Sequence, residues 1–136
     1  MREIKFRVWL KSQNKYFDVY QINFKEKIIF IDPIYSNNMI SFDDCVIEQY
    51  TGLKDDNDKE IYEGDICKFF YEDEGEFKGI IEFGNPKGEY DWGWGINFIG
   101  KQPESEKDIL FWIEAIDTDC KVVGNIHEGE QLWKKY

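Results

Sequence analysis

Histidine occurs once in the 136-residue chain, at His127, alanine once and leucine four times. A single histidine excludes a metal centre built on histidines. It also leaves a Ser–His–Asp site only His127 and four serines to draw on. No G-x-S-x-G elbow, G-x-x-x-x-G-K-[ST] loop or H-E-x-x-H pair is present, so the hydrolase, nucleotide-phosphate and zincin signatures are all missing. The three cysteines, Cys45, Cys67 and Cys120, are far apart and form no C-x-x-C pair. That argues against a zinc ribbon and a disulfide framework, and for reduced thiols in the cytoplasm. Long apolar runs are missing too. The longest is Ile109 to Ile113, far below the ~20 residues of a membrane span. The opening Met1-Arg2-Glu3-Ile4-Lys5 leads into alternation, not into the apolar core of a signal peptide.

What the chain does contain is isoleucine, 18 residues, with 11 Phe, 8 Tyr and 5 Trp. β-Branched and aromatic side chains fit a pleated, half-buried surface, whereas Ala and Leu favour helices. The composition therefore predicts a mostly-β protein. The net charge is −11, from 17 basic and 28 acidic residues. Residues 1–40 carry seven basic and four acidic groups, a net of +3, which leaves −14 on residues 41–136. Such a surface repels a polyanion, so duplex DNA is not expected as a partner.

Ile4, Phe6, Val8 and Leu10 alternate with Lys5, Arg7, Trp9 and Lys11, the pattern of a strand with one buried face. Ser12 to Lys15 supplies a turn and Tyr16 to Ile22 a second strand. Lys27 to Ile31 is a third, stopped by Asp32-Pro33. Cys45 to Tyr50 is extended, and residues 51–65 are dense in turn formers. Ile66–Tyr71 and Phe77–Phe83 form a hairpin with an acidic tip, and Tyr90 to Phe98 leads into another strand. Ile109, Trp112, Ile113 and Ile116 share one helical face. Cys120 to Ile126 is a last strand, followed by a terminal helical turn that Leu132 and Trp133 would dock.

Candidate functional residues fall into three groups. Tyr90, Trp92 and Trp94 form an aromatic cluster suited to anchoring a protein partner, or else belong to the core. Lys5, Arg7, Trp9 and Lys11 line the outer face of the first strand and suggest self-association into a homo-oligomer, or an attraction satisfied within one chain. Gly52, Gly64 and Asp65 are turn residues, Gly64 for a tight bend and Asp65 to hold it through its carboxylate. The Asp-rich loop fails as a calcium site. Counting from Asp56 puts Ile61 where the essential glycine belongs, and counting from Asp55 puts Lys59 at a ligand position. Carboxylate pairs such as Asp117 with Asp119 are expected by chance among 28 acids.

The segment Gln49-Tyr50-Thr51-Gly52-Leu53-Lys54-Asp55, continued by Lys59-Glu60-Ile61-Tyr62-Glu63-Gly64-Asp65-Ile66, resembles the signature of the YopX family. So do the opening Arg2 to Trp9 and the closing Val123-Gly124-Asn125-Ile126-His127-Glu128. The family's usual Asn-Gly is Asn57-Asp58 in this chain. The resemblance implies a small protein of bacteriophages or prophages with a mostly-β fold, and it transfers no catalytic residue.

These readings predict an N-terminal hairpin and strand region over 1–48, and an SH3-like β-barrel region over 49–136. One or two short helices complete a single compact unit. The expected role is a non-enzymatic protein-interaction or assembly module in the host cytoplasm, with a protein partner, no cofactor, no metal and no membrane. The alternatives are an acidic DNA mimic that occupies a DNA-binding protein, and an enzyme of unrecognised type.

Overall fold

Period-two alternation sorts the side chains of the first strand, β1 (Phe6–Leu10): Val8 and Leu10 are buried, and Trp9 between them is half-buried. Ile4, assigned by the sequence pattern to the same face, precedes the strand and is exposed. The computed structural model describes residues 3–31, 38–71, 74–84, 94–101 and 119–128. The chain divides into two compact units, Met1–Tyr50 and Thr51–Tyr136, where the sequence reading has regions 1–48 and 49–136.

In the N-terminal unit, β1 is flanked on both sides by antiparallel partners. β2 (Lys15–Asn23) pairs Val8 with Phe17, and β5 (Cys45–Lys54) pairs Val8 with Ile47. β3 (Ile28–Ile31) follows β2, and β4 (Met39–Ser41) follows β3. Residues of β1, β3 and β5, namely Val8, Ile29, Ile31 and Cys45, form the core of this unit, with Phe17, Ile22, Ile40 and Ile47 packed on it. The β1–β2 turn closes as its residues suggest. Gln13 and Asn14 donate backbone N–H groups to the Leu10 carbonyl, and Asn14 takes a positive φ of 50°, a conformation asparagine tolerates. A single 3-10 turn, Phe42–Asp44, is capped by the Ser41 hydroxyl, which accepts from the Asp43 N–H.

In the second unit β5 runs on to Lys54 and is joined by β6 (Glu60–Tyr62). A separate antiparallel sheet has the order β10-β7-β8-β9, built from β7 (Asp65–Tyr71), β8 (Gly75–Phe83), β9 (Trp94–Ile99) and β10 (Asp119–Asn125). One face of it buries Cys67, Phe69, Phe77, Ile81, Trp94, Ile96 and Cys120 together with Ile61 of β6. Each fully buried Ile or Phe contributes about 1.5–3 kcal/mol. Gly79 stands on this face opposite Phe98, and a Cβ there would lie 2.3 Å from Ile96 Cγ2, so only glycine admits so close an approach.

The protein is thus mostly β, with two antiparallel sheets. The expected closed barrel does not form among the described residues, because the order β10-β7-β8-β9 leaves β10 and β9 at opposite edges. The expected turn region 51–65 holds two strand segments, since Thr51 to Lys54 continue β5 and Glu60 to Tyr62 form β6. The helical segments expected over 109–116 and beyond Glu128 lie outside the described residues.

Candidate interaction surfaces

The signature segment is a hydrogen-bonding hub. Gly52 takes φ 88° within β5, while the Thr51 hydroxyl beside it donates to the Ile61 carbonyl at 2.7 Å and accepts from the Leu53 N–H. Gly64 takes φ 86°. This left-handed geometry turns the chain from β6 into β7, and a β-branched residue there would be a strained outlier. Asp65, fully buried, accepts from the Tyr62 N–H at 2.8 Å, so its carboxylate braces the bend. Gly64 also donates to the Ile81 carbonyl and accepts from the Ile126 N–H, joining the turn to β8 and to the closing motif.

Asp55 and Asp56 have roles that their identity as turn formers did not reveal. Asp55 Oδ1 accepts from the N–H groups of Asn57 and Lys59, both at 2.9 Å. Its Oδ2 accepts from the Val122 N–H, also at 2.9 Å. Asp56 donates its N–H to the Cys120 carbonyl and accepts the Cys120 N–H on Oδ2, both at 3.0 Å. The loop therefore caps the outer edge of β10, a ladder that would otherwise present unpaired groups to another chain. Burial works to raise the Asp55 pKa. The donors from Val122, Lys59 and Asn57, with the Lys59 charge, outweigh it and hold the carboxyl below the usual value. Asp58 takes φ 63° in the position where the family pattern has glycine.

The sequence placed Lys5, Arg7, Trp9 and Lys11 on an exposed outer face. Arg7 and Trp9 are half-buried, because β1 lies between β2 and β5 and both neighbours cover it. Arg7 Nε donates to Glu48 Oε1 at 2.9 Å, where the side chains are 14% and 2% exposed. The Tyr16 hydroxyl donates to the same oxygen at 2.8 Å. The Arg7 guanidinium sits 4.0 Å from the centroid of the Tyr16 ring, and Trp9 meets that ring edge-on. Lys5 pairs with Glu3 and lies over Tyr50, and exposed Lys11 donates to the Asp43 carbonyl. Sequence reasoning missed Glu48, although its register opposite Arg7 is what completes the ion pair.

Trp94 is a core residue, 7% exposed, and not a free anchor for a partner. It stands opposite Phe83, whose ring it meets at 4.8 Å, and shares its side of β9 with buried Ile96. Tyr90 and Trp92 lie outside the described residues. The three cysteines form no disulfide and are buried. Hydrogen bonding to the Cys120 thiol and burial push the Cys67 thiol well above its usual pKa. Among the described residues no three His, Cys, Asp or Glu side chains are grouped to hold a metal ion. No helix among them is long and apolar enough to cross a membrane.

Exposed apolar side chains occur at separate points of the β2–β4 meander, where Tyr20, Phe24 and Met39 are each more than 60% exposed. β4 is the edge strand there, and the Phe24 ring meets Phe42 edge-on.

The arrangement defines a two-sheet, antiparallel β-protein whose signature loop caps a sheet edge. The fold is similar to that of protein EF1440 from Enterococcus faecalis, whose crystal structure matches over 98% of this chain and 99% of that one. The TM-score is 0.59 at 20% sequence identity, so the likeness is one of fold. No curated protein matches the chain. The family model described as YopX protein matches residues 5–134, and the chain belongs to that family.

Proposed function

We propose that the chain is a phage- or prophage-encoded, non-enzymatic protein-interaction or assembly module acting in the bacterial cytoplasm. The observation that carries this reading is the exposed Tyr20, Phe24 and Met39 along the edge meander of the N-terminal unit. Single exposed apolar residues are ordinary on a protein surface, but aromatic and Met side chains beside an edge strand are what a protein partner uses. The use of the carboxylates supports the same reading. Asp55 and Asp65 bind backbone N–H groups, and Glu48 binds Arg7 and Tyr16. A DNA mimic needs its acids arrayed on the surface, and these three are buried. For the second unit, the Glu63-Gly64-Asp65-Ile66 turn feeding β7 favours an SH3-like origin for its open sheet.

The test is co-purification from host cells with full-length Phe24→Asp and Met39→Asp. One stoichiometric protein retained by the parent and lost by both variants, with thermal melts unchanged, is the expected result. Parent and variants retaining the same proteins would refute the assignment. A gel shift with duplex DNA near physiological salt should show no complex, because the net charge of −11 opposes counterion release.

A further inference from the structure

Two rows of side chains cross the outer face of the four-stranded sheet. In the first row Lys121, Lys68 and Lys78 stand directly opposite one another on β10, β7 and β8. The second row, two residues along each strand, is Asp119, Phe70 and Glu76. The intervening Cys120, Phe69 and Phe77 are buried in the core, so both rows project to the other side. Phe70 is 50% exposed, and Asp119, Lys68, Glu76 and Lys121 are exposed as well. Lysines abreast at a strand spacing of about 4.8 Å repel one another. Within the chain Lys68 is paired with Glu76.

We propose that this face forms an isologous homodimer. A two-fold axis lying in the face, across the strands and between the two rows, lays each row on the opposite row of a second copy. Position along the axis is conserved by that rotation. Lys121 then meets Asp119 of the second copy, Lys78 meets its Glu76, and Lys68 meets the face of its Phe70, a cation–π contact. The face is therefore complementary to itself in charge and in register, which is what a closed two-fold interface requires. Two sheets brought together this way are aligned and antiparallel, within the usual geometry of face-to-face packing. A standard interface uses about 20–30 residues a side. Six side chains supply a fraction of that, so the dimer is weak and falls apart as salt screens its charges. The contact is built from residues of the second unit alone and does not rest on the function proposed for the β2–β4 edge.

Sedimentation equilibrium of the full chain tests the proposal. The parent should show a concentration-dependent dimer at low salt that dissociates near 1 M salt, where the screening length is about 3 Å. Lys121→Glu sets the new acid against Asp119 of the second copy, and Asp119→Lys sets the new base against Lys121. Each variant alone should dimerise at least about tenfold more weakly. Mixed in equal amounts they restore both contacts, and a dimer of one copy of each should form. A misfolded variant would not be rescued by mixing. A parent that stays monomeric up to about 1 mM, single variants that dimerise like the parent, or a mixture of folded variants that stays monomeric would each overturn the proposal.

Discussion

Replacing Asp55 should unfold the second unit at a markedly lower temperature. The carboxylate accepts three backbone N–H groups, from Asn57, Lys59 and Val122. Asn57 and Lys59 lie on an exposed loop, where water replaces the lost acceptor, so each bond contributes about 0.5–1.5 kcal/mol. The Val122 bond pins an edge strand to a charged acceptor and contributes about 1.5–3 kcal/mol. Asp55→Ala is thus expected to cost about 2.5–6 kcal/mol, a large share of the ~5–15 kcal/mol that holds a domain together. For a unit of this size the melting temperature should fall by at least roughly 10 °C. Asp55→Asn should fall nearly as far, because its amide turns an NH₂ group toward one set of N–H donors. The effect has a pH signature. The folded carboxyl has a pKa below the unfolded value of 3.8. Its stabilisation is fully present above 3.8, and is lost as pH falls through the lower folded value. The gap between parent and Asp55→Asn melts should therefore be widest near neutral pH and narrow steadily in acid. A drop of less than about 2 °C at neutral pH, or a gap that widens in acid, would refute the reasoning.

Gly64→Val forces a β-branched residue into φ 86° and should cost about 1–3 kcal/mol in a denaturant titration; an unchanged midpoint would count against the turn assignment. Glu48→Ala leaves the Arg7 guanidinium in a poorly hydrated site and should destabilise the N-terminal unit by about 3–5 kcal/mol, read by urea unfolding followed by hydrogen exchange of the β1 amides; a loss under about 1 kcal/mol would show the pair to be solvated. Gly79→Ala drives a methyl against Ile96 Cγ2 and should cost about 1–3 kcal/mol by thermal melt; a neutral result would mean that β9 shifts freely. Native Cys67 should resist alkylation at pH 8 and react fully in denaturant, since its thiol is buried and its pKa raised; rapid native labelling would contradict its place in the core.

The readable part of the fold was local. Alternation at Val8 and Leu10, the Asn14 turn and the β7–β8 hairpin all rest on residues within a few positions of one another. Gly64 and Asp65 were legible for the same reason, because the bend and its carboxylate brace are three residues apart. The short strand β4 and the pairing of Glu60 to Tyr62 with β5 were not, since neither segment is long enough to show a period.

The strand-forming composition, the family motifs and the positions where the backbone turns are all legible along the chain. Each of these depends on intrinsic conformational preference or on a two-residue repeat. What lies against each face is set by pairing between distant segments. Period-two alternation separates Arg7 from Val8 but does not say that Glu48, 41 residues away, closes over Arg7. It places Trp94 on the same side of a strand as Ile96, and the register that sets Ile96 against buried Ile81 makes that side the core. It marks Asp55 as a turn former, and the arrival of Val122 from 67 residues away makes that carboxylate a clamp on a sheet edge. The lysine row has the same origin, because Lys68, Lys78 and Lys121 come abreast only when three strands pair in one register. Register between distant strands is fixed by the summed burial of whole faces, a quantity that no short stretch of sequence contains.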